Sequence, residues 1–423
     1  MRTVYRRCCG LDVHKKSVTA CVRIADEQGA VEERIRRFGT FTAELEELGK
    51  WLEEEQVESV AMESTGVYWK PVWNVLEGRR LQLRLVNAQH VRNVPGKKTD
   101  CKDSQWLAEL EQVGWLSGSF VASRPLRGLR ELTRLRATLE GEHSRTAQRV
   151  QKVLEGANIK LASVASNALG KSGRRMLQAL AGGESDANVL AELALGKLRA
   201  RLPELRQALQ GQMQGHQAFQ LKLLLRALRW QEGRIEEIDV RLRRDYGGGG
   251  VAGWKEEVEE AVQRLDTIPG VDWVLGVTII AETGVEMQQF GTAERLASWG
   301  GLCPGNDESA GKRRSGKMRP GNRWLRRALC QAAWCATRAK GTYLQALYRR
   351  LAVHRGKKRA LMAVAHTILV IVFHLLQRGS EYQELGGDFF QRTEREVLQQ
   401  RYVRALKRLG YQVTLTSASA TAD

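Results

Sequence analysis

Four acidic residues in this chain have the types and spacing that handle a phosphodiester. Asp100 and Asp103 stand three apart in GKKTDCKDSQWLAEL, residues 96–110, where a helix is expected to start. Acids at that position are ordinary, because the helix dipole and the free N–H groups favour them. Three residues along a helix are about 60° apart around its axis, so both side chains can point the same way. Asp12 lies inside the apolar run RCCGLDVH, where a charge is costly unless it is compensated. Glu63 closes another apolar run, VESVAME, just before Ser64-Thr65-Gly66. Brought together, four carboxylates repel strongly. Divalent cations resolve this, since Mg²⁺ takes hard oxygen ligands and shares them with a phosphate. Two such ions can clamp the attacking and leaving oxygens of a phosphoryl transfer. Asp12, Glu63, Asp100 and Asp103 are therefore the candidate metal ligands and catalytic acids, with two Mg²⁺ ions expected. Lys97, Lys98 and Lys102 then read as phosphate contacts, and His14, on the strand face of Asp12, as a supporting group. The alternative is a coincidence of surface acids.

The elements that must position these residues follow from pattern. Residues 7–14 and 17–24 read as two tightly joined strands, and 30–38 as a weakly alternating third. In TAELEELGKWLEEEQ, Leu45, Leu48, Trp51 and Leu52 recur at helical spacing with acids outside. VESVAME is a fourth strand, GVYWKPVWNVLE a helix that tolerates Pro71 only near its start, and LQLRLVN a fifth strand. A last helix covers 103–114. The first three strands are close enough for hairpins, while the later ones need crossovers and pair in parallel. A mixed five-stranded sheet surrounded by helices is the plan of the ribonuclease-H-like fold. In such a sheet the first and fourth strands are neighbours, so Asp12 and Glu63 can face each other.

Beyond Pro125 the character changes. Leu126, Leu129, Leu132, Leu135 and Leu139 run at 3–4 spacing, and Leu221, Leu224, Leu228, Ile235, Ile238 and Leu242 do the same. The spacing predicts a long helical coiled-coil hairpin over 126–265, with a small helical insertion at its tip. It could serve as a spacer or a dimerisation arm. After the break at Gly247–Gly250 comes LDTIPGVDWVLGVTIIAETG, residues 265–284, the outline of a helix-hairpin-helix. Such a Pro-Gly turn can offer backbone N–H groups to a DNA phosphate, although the bare pattern is common in helical cores. A glycine-rich basic stretch, 300–329, leads into a mostly helical region. The expected units are 1–125, 126–265, 266–412 and a disordered tail, 413–423.

Composition narrows the partners. The net charge is +19, from 67 basic against 48 acidic residues. Such an excess favours nucleic acid, or less often an anionic membrane surface. The seven cysteines include no C-x-x-C pair and are odd in number, which disfavours a zinc site or a disulfide framework and fits reduced thiols in a cytoplasm. No signal peptide is visible. The longest apolar stretch, LMAVAHTILVIVFHLLQ at 361–377, falls short of a comfortable membrane span and reads as a buried helix. No membrane partner is expected.

Taken together, GLDVHKKS, MESTGVYW, KTDCKDSQWLAEL, IPGVDWVLG and GLCPGNDESAGKRRSGKMRPGNRWLRRAL resemble, in order and over nearly the whole chain, the insertion-sequence transposases called the IS-one-ten family. The resemblance implies an α/β RuvC-like N-terminal domain whose DEDD set maps onto Asp12, Glu63, Asp100 and Asp103. It implies a mostly α C-terminal transposase domain with a nucleophilic serine, Ser309, and Ser315 as fallback. The family usually has Ser-Gly-Gly there, whereas this chain has Ser309-Ala310-Gly311. It further implies a structured bridge RNA as guide, donor and target DNA as substrates, and dimers that pair into tetramers with active sites shared between subunits. The expected setting is the cytoplasm, at the nucleoid. A serine hydroxyl needs activation to attack phosphorus. Lys312, Arg313, Arg314 and Lys317 could fix the phosphate and stabilise its transition-state charge. Two other activities compete: a RuvC-like junction nuclease that uses water, and a non-catalytic nucleic-acid scaffold.

Overall fold

In the computed structural model of the chain the described residues are 3–63, 66–86, 100–246, 254–303, 307–309, 312–315, 318 and 320–415. They fall into two units, Met1–Arg124 and Pro125–Asp423.

The first unit is built on a mixed five-stranded sheet in the order β3-β2-β1-β4-β5. Its strands are β1 (Arg7–Val13), β2 (Ser17–Ala25), β3 (Val31–Gly39), β4 (Ser59–Glu63) and β5 (Gln82–Val86). β1, β2 and β3 form antiparallel hairpins, as short connections require. β4 pairs in parallel with β1, and β5 in parallel with β4, through the crossover helices α1 (Thr42–Glu54) and α2 (Trp69–Leu76). One sheet face packs Cys9, Leu11, Val13, Val60, Met62 and Leu85 against the apolar sides of those two helices. Trp69 belongs to this core, edge-on to Trp73.

The other face is covered by α3 (Asp100–Gln112). Here the decisive residue is Gly10. A Cβ on Gly10 would stand 2.2 Å from the Ser104 carbonyl oxygen and 2.4 Å from the Ala108 nitrogen. The helix backbone therefore lies directly on β1, an approach open to glycine alone. Cys8 donates its thiol to the Ala108 carbonyl at 3.3 Å, and the Val4 N–H reaches the Gln112 carbonyl at 2.8 Å. Burial pushes that thiol up to about 12, so Cys8 is a neutral packing group rather than a ligand. Leu107 and Leu110 join Ala61, Val86 and Leu116 in a second small core on this face.

The second unit is helical. The long helices α4 (Arg124–Gly156) and α9 (Gly215–Tyr246) run antiparallel. Arg136 pairs with Asp239, His143 with Glu232, and Gln231 donates to Thr146, so residue numbers fall on one helix as they rise on the other. Between them α5 (Leu161–Val164), α6 (Lys171–Ala181), α7 (Ala187–Glu192) and α8 (Leu202–Leu209) form a separate core against Val150, Leu154, Leu221 and Leu228. Beyond the hairpin come α10 (Trp254–Asp266), α11 (Trp273–Thr283), α12 (Ala293–Trp299), α13 (Arg323–Ala336), α14 (Tyr343–Arg355), α15 (Lys357–Arg378) and α16 (Phe389–Arg408). α15 is the long apolar helix. By length and composition it could cross a membrane, but 44% of its apolar window is buried, and it packs on α10, α12, α13 and α14. The Pro-Gly turn between α10 and α11 is likewise occupied by protein. Gly270, at φ +90°, lies against the α13 backbone, where a Cβ would stand 2.4 Å from the Ala332 carbonyl oxygen.

Gly10→Val should destabilise the chain by about 3 kcal/mol, because α3 must lift off β1 to admit the side chain. Chemical denaturation measures this, and an unchanged midpoint would refute the close packing.

Candidate active site

Strand register decides which way the sheet acids point. Leu11 pairs with Met62 across β1 and β4, so Asp12 and Glu63 are the next residues on the two strands. Side chains alternate along a strand. Gly10 and Ala61 face α3, so Asp12 and Glu63, each two residues further on, face the same way. Val86, the partner of Glu63 on β5, sits in the core beneath α3, which confirms the facing.

The run of α3 completes the placement. From Val4, just before β1, through residues 8 and 10, the chain meets helix residues 112, 108 and 104 in turn. Two more strand residues advance about 7 Å, and one helical turn spans about 5 Å. Asp12 is thereby brought level with the first turn of α3, which carries Asp100 and Asp103. Asp12 is 8% exposed, whereas Asp103 is open to solvent. His14 Nε2 lies 3.1 Å from Asp12 Oδ2, with its own ring half exposed. The helix is held in this register by Glu111, fully buried, which accepts a hydrogen bond from the Ser59 hydroxyl on β4 and lies 3.4 Å from Arg84 Nε. Burial raises the Glu111 carboxyl, and the Ser59 bond and Arg84 oppose that rise.

Among the described residues no three His, Cys, Asp or Glu side chains form a ready metal-binding group. The side chains of Asp100 and Lys102 lie outside the described ones, as do Lys97 and Lys98. The donor chemistry nonetheless fits a hard divalent cation. A buried carboxylate beside a second on the neighbouring strand is costly alone, and all the candidate donors are oxygens.

The second unit holds the serine segment. Asp307–Ser309 and Lys312–Ser315 form a two-stranded antiparallel ribbon, β6 and β7, in which Ser309 pairs with Lys312. The side chains of Ser309, Lys312, Arg313, Arg314 and Ser315 lie outside the described ones, and Ala310 and Lys317 outside the described residues. The segment leaves and returns at one point. A Cβ on Gly321 would stand 2.3 Å from the Gly301 nitrogen, and the Asn322 N–H donates to the Trp299 carbonyl at 3.2 Å. Trp324, next along, lies under Arg323 and Arg134, with guanidinium carbons 4.6 Å and 5.8 Å from the ring centre.

Sequence reasoning passed over Glu282. It is fully buried at the end of α11, in a run otherwise apolar. Arg134 of α4 grips it with two 2.7 Å bonds, and Arg130 Nε lies 3.6 Å from Oε2. Arg130 also donates to the carbonyls of Ala281 and Glu282. Burial lowers the Arg130 guanidinium to about 10, against the pull of Glu282. Asn322 Nδ2 donates to Glu282 Oε2 at 2.6 Å. The available signal was a lone acid in VTIIAETG together with two arginines four apart on the hairpin.

Full-length chain should gain thermal stability as Mg²⁺ is titrated, by about 2.7 kcal/mol at 100-fold excess over Kd. Asp12→Asn with Glu63→Gln should abolish the gain; an equal gain in that variant would show that these acids hold no metal.

Comparison with known proteins gives two family matches. Residues 9–159 match a DEDD model described as a transposase, and residues 262–349 match a model described as transposase IS116/IS110/IS902 family. The first span contains Asp12, Glu63, Asp100 and Asp103, and the second contains Ser309 and Glu282. No curated protein matches the chain.

Proposed function

This chain belongs to the IS110 family of transposases, and from that premise we propose an RNA-guided recombinase that exchanges DNA strands through a covalent phosphoserine bond. The observation that carries the reading is the facing of Asp12 and Glu63 toward the first turn of α3, within the span matched by the DEDD model. That model suggests divalent-metal dependence. The strand order and the helix over β1 support a ribonuclease-H-like, RuvC-like unit.

Asp12, Glu63, Asp100 and Asp103 are the residues that would hold metal. Two Mg²⁺ ions bound there would neutralise charge building on the phosphate. The Ser309 hydroxyl oxygen forms a bond to phosphorus as the bond to one sugar oxygen breaks, and that oxygen leaves with a proton. Attack by the hydroxyl of another strand reverses the step, releases Ser309 and restores a phosphodiester. Phosphoester energy is kept throughout, so strand exchange needs no ATP. Lys312, Arg313, Arg314 and Lys317 fix the phosphate and meet its developing charge. Lys97, Lys98 and Lys102 bind flanking backbone, which positions without reading sequence. Sequence is read by pairing with a bridge RNA, so the protein needs shape and backbone contacts rather than base contacts. A net charge of +19 supports such partners. Carboxylates of one copy act with the serine of another, in dimers that pair to tetramers, at the nucleoid.

With donor and target DNA, guide RNA and Mg²⁺, the chain should form a protein–DNA adduct resistant to denaturant. Ser309→Ala should remove the adduct, while Ser315→Ala should retain it. A water-using nuclease would give free ends and ignore Ser309→Ala. Asp100→Asn with Asp103→Asn should cut the rate at least ~10²-fold, the scale of losing transition-state charge stabilisation. Undiminished recombination in that double variant would make the chain a scaffold.

A further inference from the structure

The buried carboxylate Glu282 has no part in the chemistry above, yet it stands at a junction of three elements. Arg134 and Arg130 reach it from α4, it belongs to α11, and Asn322 reaches it from the foot of the serine segment. Asn322 does three things at once. Its N–H closes the stem onto Trp299, its Oδ1 accepts from the N–H groups of Trp324 and Leu325 to cap α13, and its Nδ2 donates to Glu282. The stem is narrow, because Gly301 and Gly321 are in backbone contact. Whatever orients Asn322 therefore orients the base of the segment that carries Ser309.

A buried ion pair is a weak source of stability, since desolvation offsets most of its attraction. Its geometry is nonetheless demanding. The Arg134 fork fixes the plane of the Glu282 carboxylate, and the carboxylate fixes the Asn322 amide. An apolar contact would hold the same elements together without fixing an angle.

We propose that Glu282 is a positioning residue that, through Asn322, locks the stem of the serine segment to the α4 arm. The proposal rests on the assignment of Ser309 as nucleophile. Asn322→Asp keeps the helix cap but sets an acceptor against Glu282. Asn322→Ser keeps a capping oxygen and falls short of Glu282 without adding charge, and so serves if Asn322→Asp fails to fold.

Two readouts are needed on the full-length chain. Hydrogen exchange at 299–303 and 320–325 should rise about tenfold in Asn322→Asp and Asn322→Ser, the scale of one charge-assisted hydrogen bond. Exchange in the tip core around Leu154 and Leu221 should not change. Adduct formation at saturating DNA should fall by about tenfold or more in both, with the DNA concentration for half-maximal yield unchanged. Unchanged exchange in the two variants, or a loss that lies wholly in the DNA concentration for half-maximal yield, overturns the lock. So does an adduct yield that stays at the wild-type level while exchange rises. If wild type forms no adduct but exchange follows the pattern above, the Ser309 assignment fails and the Glu282–Asn322 link stands.

Discussion

The absence of a side chain at Gly10 governs the first unit. It lets a helix rest its backbone on the central strand, and contact at that distance leaves no freedom to slide. Because helix and strand run in opposite directions, the start of α3 must then lie over the end of β1. The parallel pairing of β4 with β1 brings Glu63 to the same end. Asp12, Glu63 and the first turn of α3, far apart in the chain, are brought to one end of the sheet by three backbone constraints: one close approach, one register and one direction. None of them requires an acid to find another, which matters because acids alone would part.

The second unit is organised differently. Its long hairpin is bridged by Arg136 with Asp239 and His143 with Glu232, and it carries a separate apolar core at the tip insertion. At the base, polar groups take over again: two arginines, one buried glutamate and one asparagine tie the hairpin to the helices around the serine segment. The protein thus uses apolar packing where elements need only be held, and directional bonds where an orientation has to be kept.

Much of this could be read before the fold was seen. The five strands announced themselves as apolar or alternating runs between turn residues, and Asp12 stood out because it interrupted one of those runs. Facing was not legible, because it depends on which strand residue the covering helix touches, and glycine in a strand reads equally well as a bulge or a weakness. Glu282 was passed over for a related reason. A single acid near a helix end is unremarkable until the arginines that neutralise it, some 150 positions earlier in the chain, are seen to be its neighbours. The Pro-Gly turn could not be placed from sequence either, since the packing of Gly270 on α13 joins residues some 60 positions apart.

The pinched base formed by Gly301 and Gly321 separates two evolutionary pressures. A chain that departs and returns at one point anchors both ends of the excursion at a single place, whatever its length. Residues can be gained, lost or exchanged along that excursion while every helix below keeps its neighbours. The helices at the base are thus held independently of how many residues the excursion carries.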